Sequence, residues 1–354
     1  GGNDGINTVV PFRDEGYARH RVALRLPAAR LIKVDDRVAL HAGLADAAKL
    51  LDDGRLAIVQ GVGYPNPNRS HFQSMAIWQT ARPGAEHSED LGWLGRSLDG
   101  SQDSSSVATS TFIGPGVLPV ALRGRRSVAT TLERPEDLVL SARADPREAG
   151  VPLAGPLDEL ADFVHRSALD AYSSADRVAK AARVEKAGDR YPDTVLGQRL
   201  RVTSGLLKAG FGARVYYLTQ PGYDTHATQL PLHAALLEEL SRALKAFLDD
   251  LSASGLAERV LVLCFSEFGR RVAENGTGTD HGTSGPVFLA GSKVRPGLAG
   301  SYPSLTDLVD GDLKMAVDFR RIYATLLEGW LGLSSNNALN GTFEPLQLLH
   351  TLAG

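Results

Sequence analysis

The stretch "SEFGRRVAENGTGTDHGTSG", residues 266–285, follows the apolar run "RVLVLCF" and carries Glu267, two arginines, several glycines and the triplet Asp280-His281-Gly282. A carboxylate directly after so apolar a strand is costly unless it is paired. Glu267 is therefore either neutralised by Arg270 or Arg271, or it is a metal ligand or base with one arginine clamping an anion. The glycines around Asp280 and His281 let backbone come close to a ligand.

Three further clusters have the same character. "GYDTH" sets Asp224 and His226 two positions apart, an oxygen and an imidazole nitrogen suited to zinc or another divalent transition metal. Taken alone, an Asx turn and a surface histidine explain it equally well. His233 lies further on in an amphipathic helix and reads as a packed histidine behind a site rather than as a ligand. "NPNRSHF" brings Ser70 and His71 to a helix start. There Ser70 is either an N-cap or a nucleophile activated by a metal or a neighbouring base, with the helix N-terminus receiving an anion. "NDG" supplies Asn3, Asp4 and Gly5, which in isolation make a tight turn.

Alternating strands and helices must position these clusters. "ALHAGLADAAKLLDDG" has helical periodicity and ends on Gly54 as a cap; "RLAIVQGVG" reads as a short buried strand. "SHFQSMAIWQTA" starts a helix, "ARVYYLTQPGYDTH" is a strand ending in a polar turn, and "LPLHAALLEELSRALKAFLDDLSASG" is the clearest helix in the chain. "PVFLAG" adds a strand and "DFRRIYATLLEGWLG" a final helix. This alternation predicts an α/β protein with a mostly parallel central sheet and helices on both faces. A β-rich excursion is expected at about residues 101–137 and a helical insertion at about 156–211. In such folds ligands bind beyond the carboxyl ends of the strands. The polar clusters fall there, after strands at 56–61, 214–218 and 260–265. "GGNDG" would follow a first strand lying before Gly1.

Bulk properties narrow the function. The chain has 354 residues, 43% hydrophobic and 22% charged, as in an ordinary globular protein, and its net charge of −3 offers no basic field for nucleic acid. No apolar stretch is long enough to span a bilayer. The single cysteine, Cys264, lies within an apolar strand and reads as an inert buried thiol.

The set GGNDG-x-NTVVP, GVGYPNPNRSHF-x-SM-x-x-W, GYDTH-x-x-Q and SEFGR…DHG resembles a bacterial family of uncharacterised, usually exported proteins placed in the alkaline phosphatase-like superfamily. The resemblance runs from the first residue to about Trp330. It implies one domain over residues 1–354, a three-layer α/β/α sandwich with metals at the carboxyl ends of the strands. It also implies phosphoryl or sulfuryl transfer through a Ser, Thr or modified Cys nucleophile. By position, Asp4 resembles the metal-holding aspartate of the first strand, and Ser70 falls near the nucleophile's place. Asp224 and His226 resemble the Asp…His pair of one metal site, which His281 resembles the completion of. At Ser266-Glu267 the chain departs from the Asp-His pair usual there, which argues against two-zinc chemistry. Periplasmic or extracellular location, through a twin-arginine signal, is carried by the family alone.

The expectation is a metal-dependent hydrolase of phosphate or sulfate esters, with a small anionic ester as substrate. Its metal ligands would be Asp4, Asp224, His226, Glu267 and His281, and its catalytic residues Ser70, His71 and Arg270. Zinc is the expected metal, with calcium, magnesium and manganese as alternatives. The rival is a non-catalytic exported binding or assembly protein on the same fold. A metal-free Ser70-His71 hydrolase ranks third, because adjacent residues rarely present their side chains to each other.

Overall fold

A computed structural model describes residues 1–83, 91–100, 109–133 and 190–350. The chain divides into two compact units, Gly1–Glu89 with Gln220–Gly354, and Asp90–Thr219.

In the first unit the helix Ala45–Asp52 stops at Asp53, and Gly54 takes φ 74°, the left-handed turn that the sequence expects of it. The strand Leu56–Gly63 follows, buried along its whole length. It pairs in parallel with Gly297–Ala299 and, further along, with Val317–Asp318. On its other side it pairs antiparallel with Gly285–Ala290, which pairs antiparallel with Val262–Cys264 at the end of the sheet. This sheet is mixed, where strand–helix alternation had led to a mostly parallel one. The reason lies in the connection 265–284, which contains no helix. A parallel return needs a crossover, usually helical, whereas a chain that folds straight back runs antiparallel. Long connections with little structure of their own are uncommon in compact units and are often functional. The fold is mixed α/β with several sheets, some of them parallel.

Two helices fix the polar edge of this unit. In His71–Thr80, Trp78 is buried and stacks between Phe265 at 4.8 Å and Phe319 at 4.4 Å. Its carbonyl accepts from the Tyr323 hydroxyl at 3.0 Å, tying the helix to Phe319–Gly329. Burying rings of this size stabilises by a few kcal/mol each, so the anchor near the end of the helix holds His71 at its start. The helix Gln229–Ala253 buries His233, Leu237, Ser241, Leu244, Leu248 and Leu251, the three-to-four spacing that the sequence displays. A small antiparallel sheet joins Val9–Val10, Ala39–His41 and Leu31–Lys33.

The second unit has a parallel sheet with Ser110–Ile113 between Ala129–Leu132 and Val215–Leu218. Ile113, Leu132, Leu206 and Phe211 form its core, with Leu206 supplied by the helix Val195–Lys208. Two of these strands fall in the expected β-rich excursion, and this helix falls in the expected helical insertion. The rest of those two expectations lies outside the described residues. No described helix is long and apolar enough to cross a membrane.

Candidate metal centre

Three imidazoles meet one carboxylate oxygen at the polar edge of the first unit. Oδ1 of Asp224, from the "GYDTH" turn, lies 3.0 Å from Nε2 of His226, 3.0 Å from Nε2 of His281 and 3.3 Å from Nε2 of His71. The Nε2 atoms of His226 and His281 are themselves 3.0 Å apart. His71, Asp224 and His281 each offer a ligand atom within 4.8 Å of the others. Donors on one tetrahedral zinc ion stand about 3.3 Å from each other, given bonds of roughly 2.0–2.1 Å. The spacing here is of that order.

Proton bookkeeping shows what the cluster lacks. Nδ1 of His281 is 2.8 Å from the carbonyl oxygen of Arg69, which can only accept, so Nδ1 carries the proton. Nδ1 of His71 is 2.6 Å from Oε1 of Glu267. The other oxygen of Glu267, Oε2, accepts from the Ser266 hydroxyl at 3.2 Å and the Gly2 amide at 3.3 Å, donors that suit a carboxylate. An ionised Glu267 makes His71 Nδ1 the donor. With Nδ1 as the protonated nitrogen, the neutral form of each ring turns an Nε2 lone pair towards the Asp224 oxygen. His71 Nε2 is buried and makes no hydrogen bond; its 3.3 Å approach to Asp224 has the distance of an ion pair without hydrogen-bond geometry. With His226 in either tautomer, at least two imidazole lone pairs and a carboxylate oxygen still face one another. Acceptors gathered on acceptors are unfavourable unless a cation joins them.

The surroundings make the arrangement rigid on one side and open on the other. Arg270 is 1% exposed and donates through Nη2 to Asp224 Oδ1 at 2.7 Å and to the Tyr223 carbonyl at 3.0 Å. Its Nη1 reaches the Thr279 carbonyl at 2.8 Å and its Nε the Gly2 carbonyl. Burial opposes ionisation of Asp224, but the hydrogen bond and positive charge of Arg270 hold its carboxyl far below the usual carboxylate range. Phe268 packs its ring against His71 at 4.8 Å and His281 at 4.9 Å. Solvent reaches the cluster past His226, 47% exposed, whose Nδ1 is 3.7 Å from Asp280 Oδ1. The glycines of the loop serve the protein itself. A Cβ on Gly278 would lie 2.1 Å from the His226 backbone, and one on Gly282 2.5 Å from that of Arg270.

The structure thus brings together Asp224, His226 and His281 of the expected ligands, with His71. Glu267 stands behind His71, and Arg270 behind Asp224. Asp4 is elsewhere. It is fully buried in a two-point ion pair with Arg21, at 2.6 and 3.1 Å, and also accepts from Gln229. Ser70 precedes the helix His71–Thr80 without a side-chain capping bond, between Arg69, whose carbonyl meets His281, and His71. His233 is buried, as expected of a packed histidine, and contacts Asn3 Oδ1 at 2.8 Å and Thr8 Oγ1 at 3.3 Å. Sequence reasoning missed Phe268 and Arg21. Phe268 had a signal, an aromatic held inside "SEFGR"; Arg21 in "ARHRVALR" had none that set it apart from its neighbours.

Fold and site together define an α/β protein with an acceptor-rich His/Asp cluster on the loops of one unit. Over residues 1–341 the chain matches the family described as "Protein of unknown function (DUF1501)", and it belongs to that family. No curated protein matches it.

Proposed function

We propose that this protein is a metal-dependent hydrolase of small phosphate or sulfate esters, built on an alkaline phosphatase-like sandwich and acting outside the cytoplasm. The observation that carries the reading is the meeting of His71, His226 and His281 on Asp224 Oδ1, with two tautomers fixed so that nitrogen lone pairs point inward. Nitrogen-rich donors at this spacing suit zinc better than calcium or magnesium.

A divalent cation held by these four side chains would polarise an ester oxygen and acidify a bound hydroxyl or water. The chain's own residues do the rest. Arg270 fixes Asp224 from the buried side and is not free to clamp substrate. Ser70, between Arg69, whose carbonyl meets His281, and His71 of the cluster, offers the attacking hydroxyl, with water as the alternative nucleophile. The exposed side, past His226, admits the ester.

The test is a panel of generic phosphate and sulfate monoesters assayed with zinc-, manganese- and calcium-loaded protein. Turnover that disappears in Ser70→Ala while metal content stays unchanged supports the assignment with Ser70 as nucleophile. Turnover that survives in Ser70→Ala and disappears in His281→Ala assigns the attack to water. Stoichiometric metal without turnover of any ester moves the protein to the second reading, a metal-holding binding or assembly protein. The enclosure of Arg270 favours that second reading, because it removes the most obvious anion clamp.

A further inference from the structure

Glu267 is the most buried acid next to the cluster, and its two oxygens are divided between two tasks. Oε1 takes the His71 Nδ1–H at 2.6 Å. Oε2 accepts from the Ser266 hydroxyl at 3.2 Å and the Gly2 amide at 3.3 Å. The side chain is 2% exposed, and the His71 ring leans on Phe268 at 4.8 Å. Neither oxygen is hydrogen-bonded or ion-paired to Asp224, His226 or His281; the path from Glu267 to the cluster runs through His71.

We infer that Glu267 is a positioning residue rather than a ligand: it fixes the Nδ1–H tautomer and the ring plane of His71, so that Nε2 presents its lone pair to a cation shared with Asp224 and His281. Without a strong acceptor at Nδ1, the imidazole can place its proton on Nε2 instead. That tautomer would turn a hydrogen towards the cluster and remove one donor. A carboxylate behind the ring also makes the ligating nitrogen more basic. The Arg69 carbonyl does the same for His281, but there the acceptor is backbone and cannot be removed by substitution. Glu267 is therefore the one place where this control can be tested directly.

This inference rests on the metal-binding reading above, and the experiment separates the two. Zinc affinity is measured on the full chain by competition with a chelating dye, and cobalt(II) absorption reports the ligand set. Wild type should take up one zinc per chain. Glu267→Gln should keep that stoichiometry and the cobalt band positions but lose roughly 10–100-fold in affinity. Glu267→Asp, which keeps the charge but falls short of His71, should lose a similar factor. In a His71→Ala background the Glu267→Gln loss should vanish, because the carboxylate then has no ring to act through. A purely structural role would lower the melting point of the metal-free protein and leave affinity alone. Unchanged zinc affinity in folded Glu267→Gln and Glu267→Asp overturns the inference, as does a changed cobalt spectrum, which would make Glu267 a ligand. No zinc uptake by wild type overturns the metal reading together with it.

Discussion

Two carboxylates in the first unit, Asp4 and Asp224, each sit among an arginine and histidines, and they differ in whether their hydrogen bonds close. Asp4 is sealed from solvent. Both its oxygens receive Arg21, Gln229 adds a donor, and Arg21 in turn reaches the carbonyls of Val272 and Arg271 at 2.7 and 2.8 Å. Every acceptor there has a donor, so the network has no place for anything else. Asp224 is 48% exposed and receives Arg270, yet its Oδ1 also faces Nε2 of His71, which makes no hydrogen bond. A closed network is structure; an open, acceptor-rich one is an invitation to a cation. The difference separates residues that sequence motifs cannot tell apart.

The largest effect expected from this contrast is on Asp4. Asp4→Ala strands a buried arginine and should cost about 3–5 kcal/mol of stability, read by denaturant unfolding, without being a loss of a metal ligand. A loss below 1 kcal/mol would mean that the pair is not buried as described.

Next is the pH dependence of the same network. Burial leads the causes that lower His233 to about 4 from 6.5; Asp4 opposes, while His41, Arg21 and Arg270 add to the lowering. The unfolded chain therefore binds this proton more readily than the folded one. The contribution is fully present above about pH 6.5 and is lost as pH falls towards 4, up to about 3 kcal/mol. His41 is shifted in the same direction, chiefly by burial, so His233→Gln should flatten the slope in part. An unchanged slope between pH 6.5 and 4 in that variant would show that His233 titrates normally.

What was legible in the sequence follows the same line. The loops after apolar strands announced Asp224, His226 and His281, because polar clusters at strand ends are local features. The start of the helix behind His71 was legible from Ser70 as a candidate N-cap, whereas its anchoring through Trp78 was not. The partners of Asp4 were not, since Arg21 meets it only through tertiary folding. The same holds for Glu267 and Arg270: their types suggested ligand and clamp, but which way each faces depends on the 265–284 connection folding back on itself. That fold-back also set the antiparallel pairing of Val262–Cys264 with Gly285–Ala290 that alternation alone did not reveal.

Smaller effects sharpen the open side. Zinc at one hundred times its dissociation constant should stabilise wild type by about 2.7 kcal/mol and His281→Ala far less, read as a melting shift. Equal shifts in both would place the zinc elsewhere. Smallest should be Asp280→Asn at the exposed rim, which should change zinc binding by less than about 1 kcal/mol, as for an exposed ion pair. A larger loss would bring Asp280 into the ligand set.

The most direct test of the central claim is elemental analysis of the protein purified without a metal-affinity column, for wild type and His281→Ala side by side. The account predicts close to one equivalent of a transition metal, zinc foremost, in wild type and a marked loss in the variant. Wild type without metal, both as isolated and after reconstitution, would contradict it.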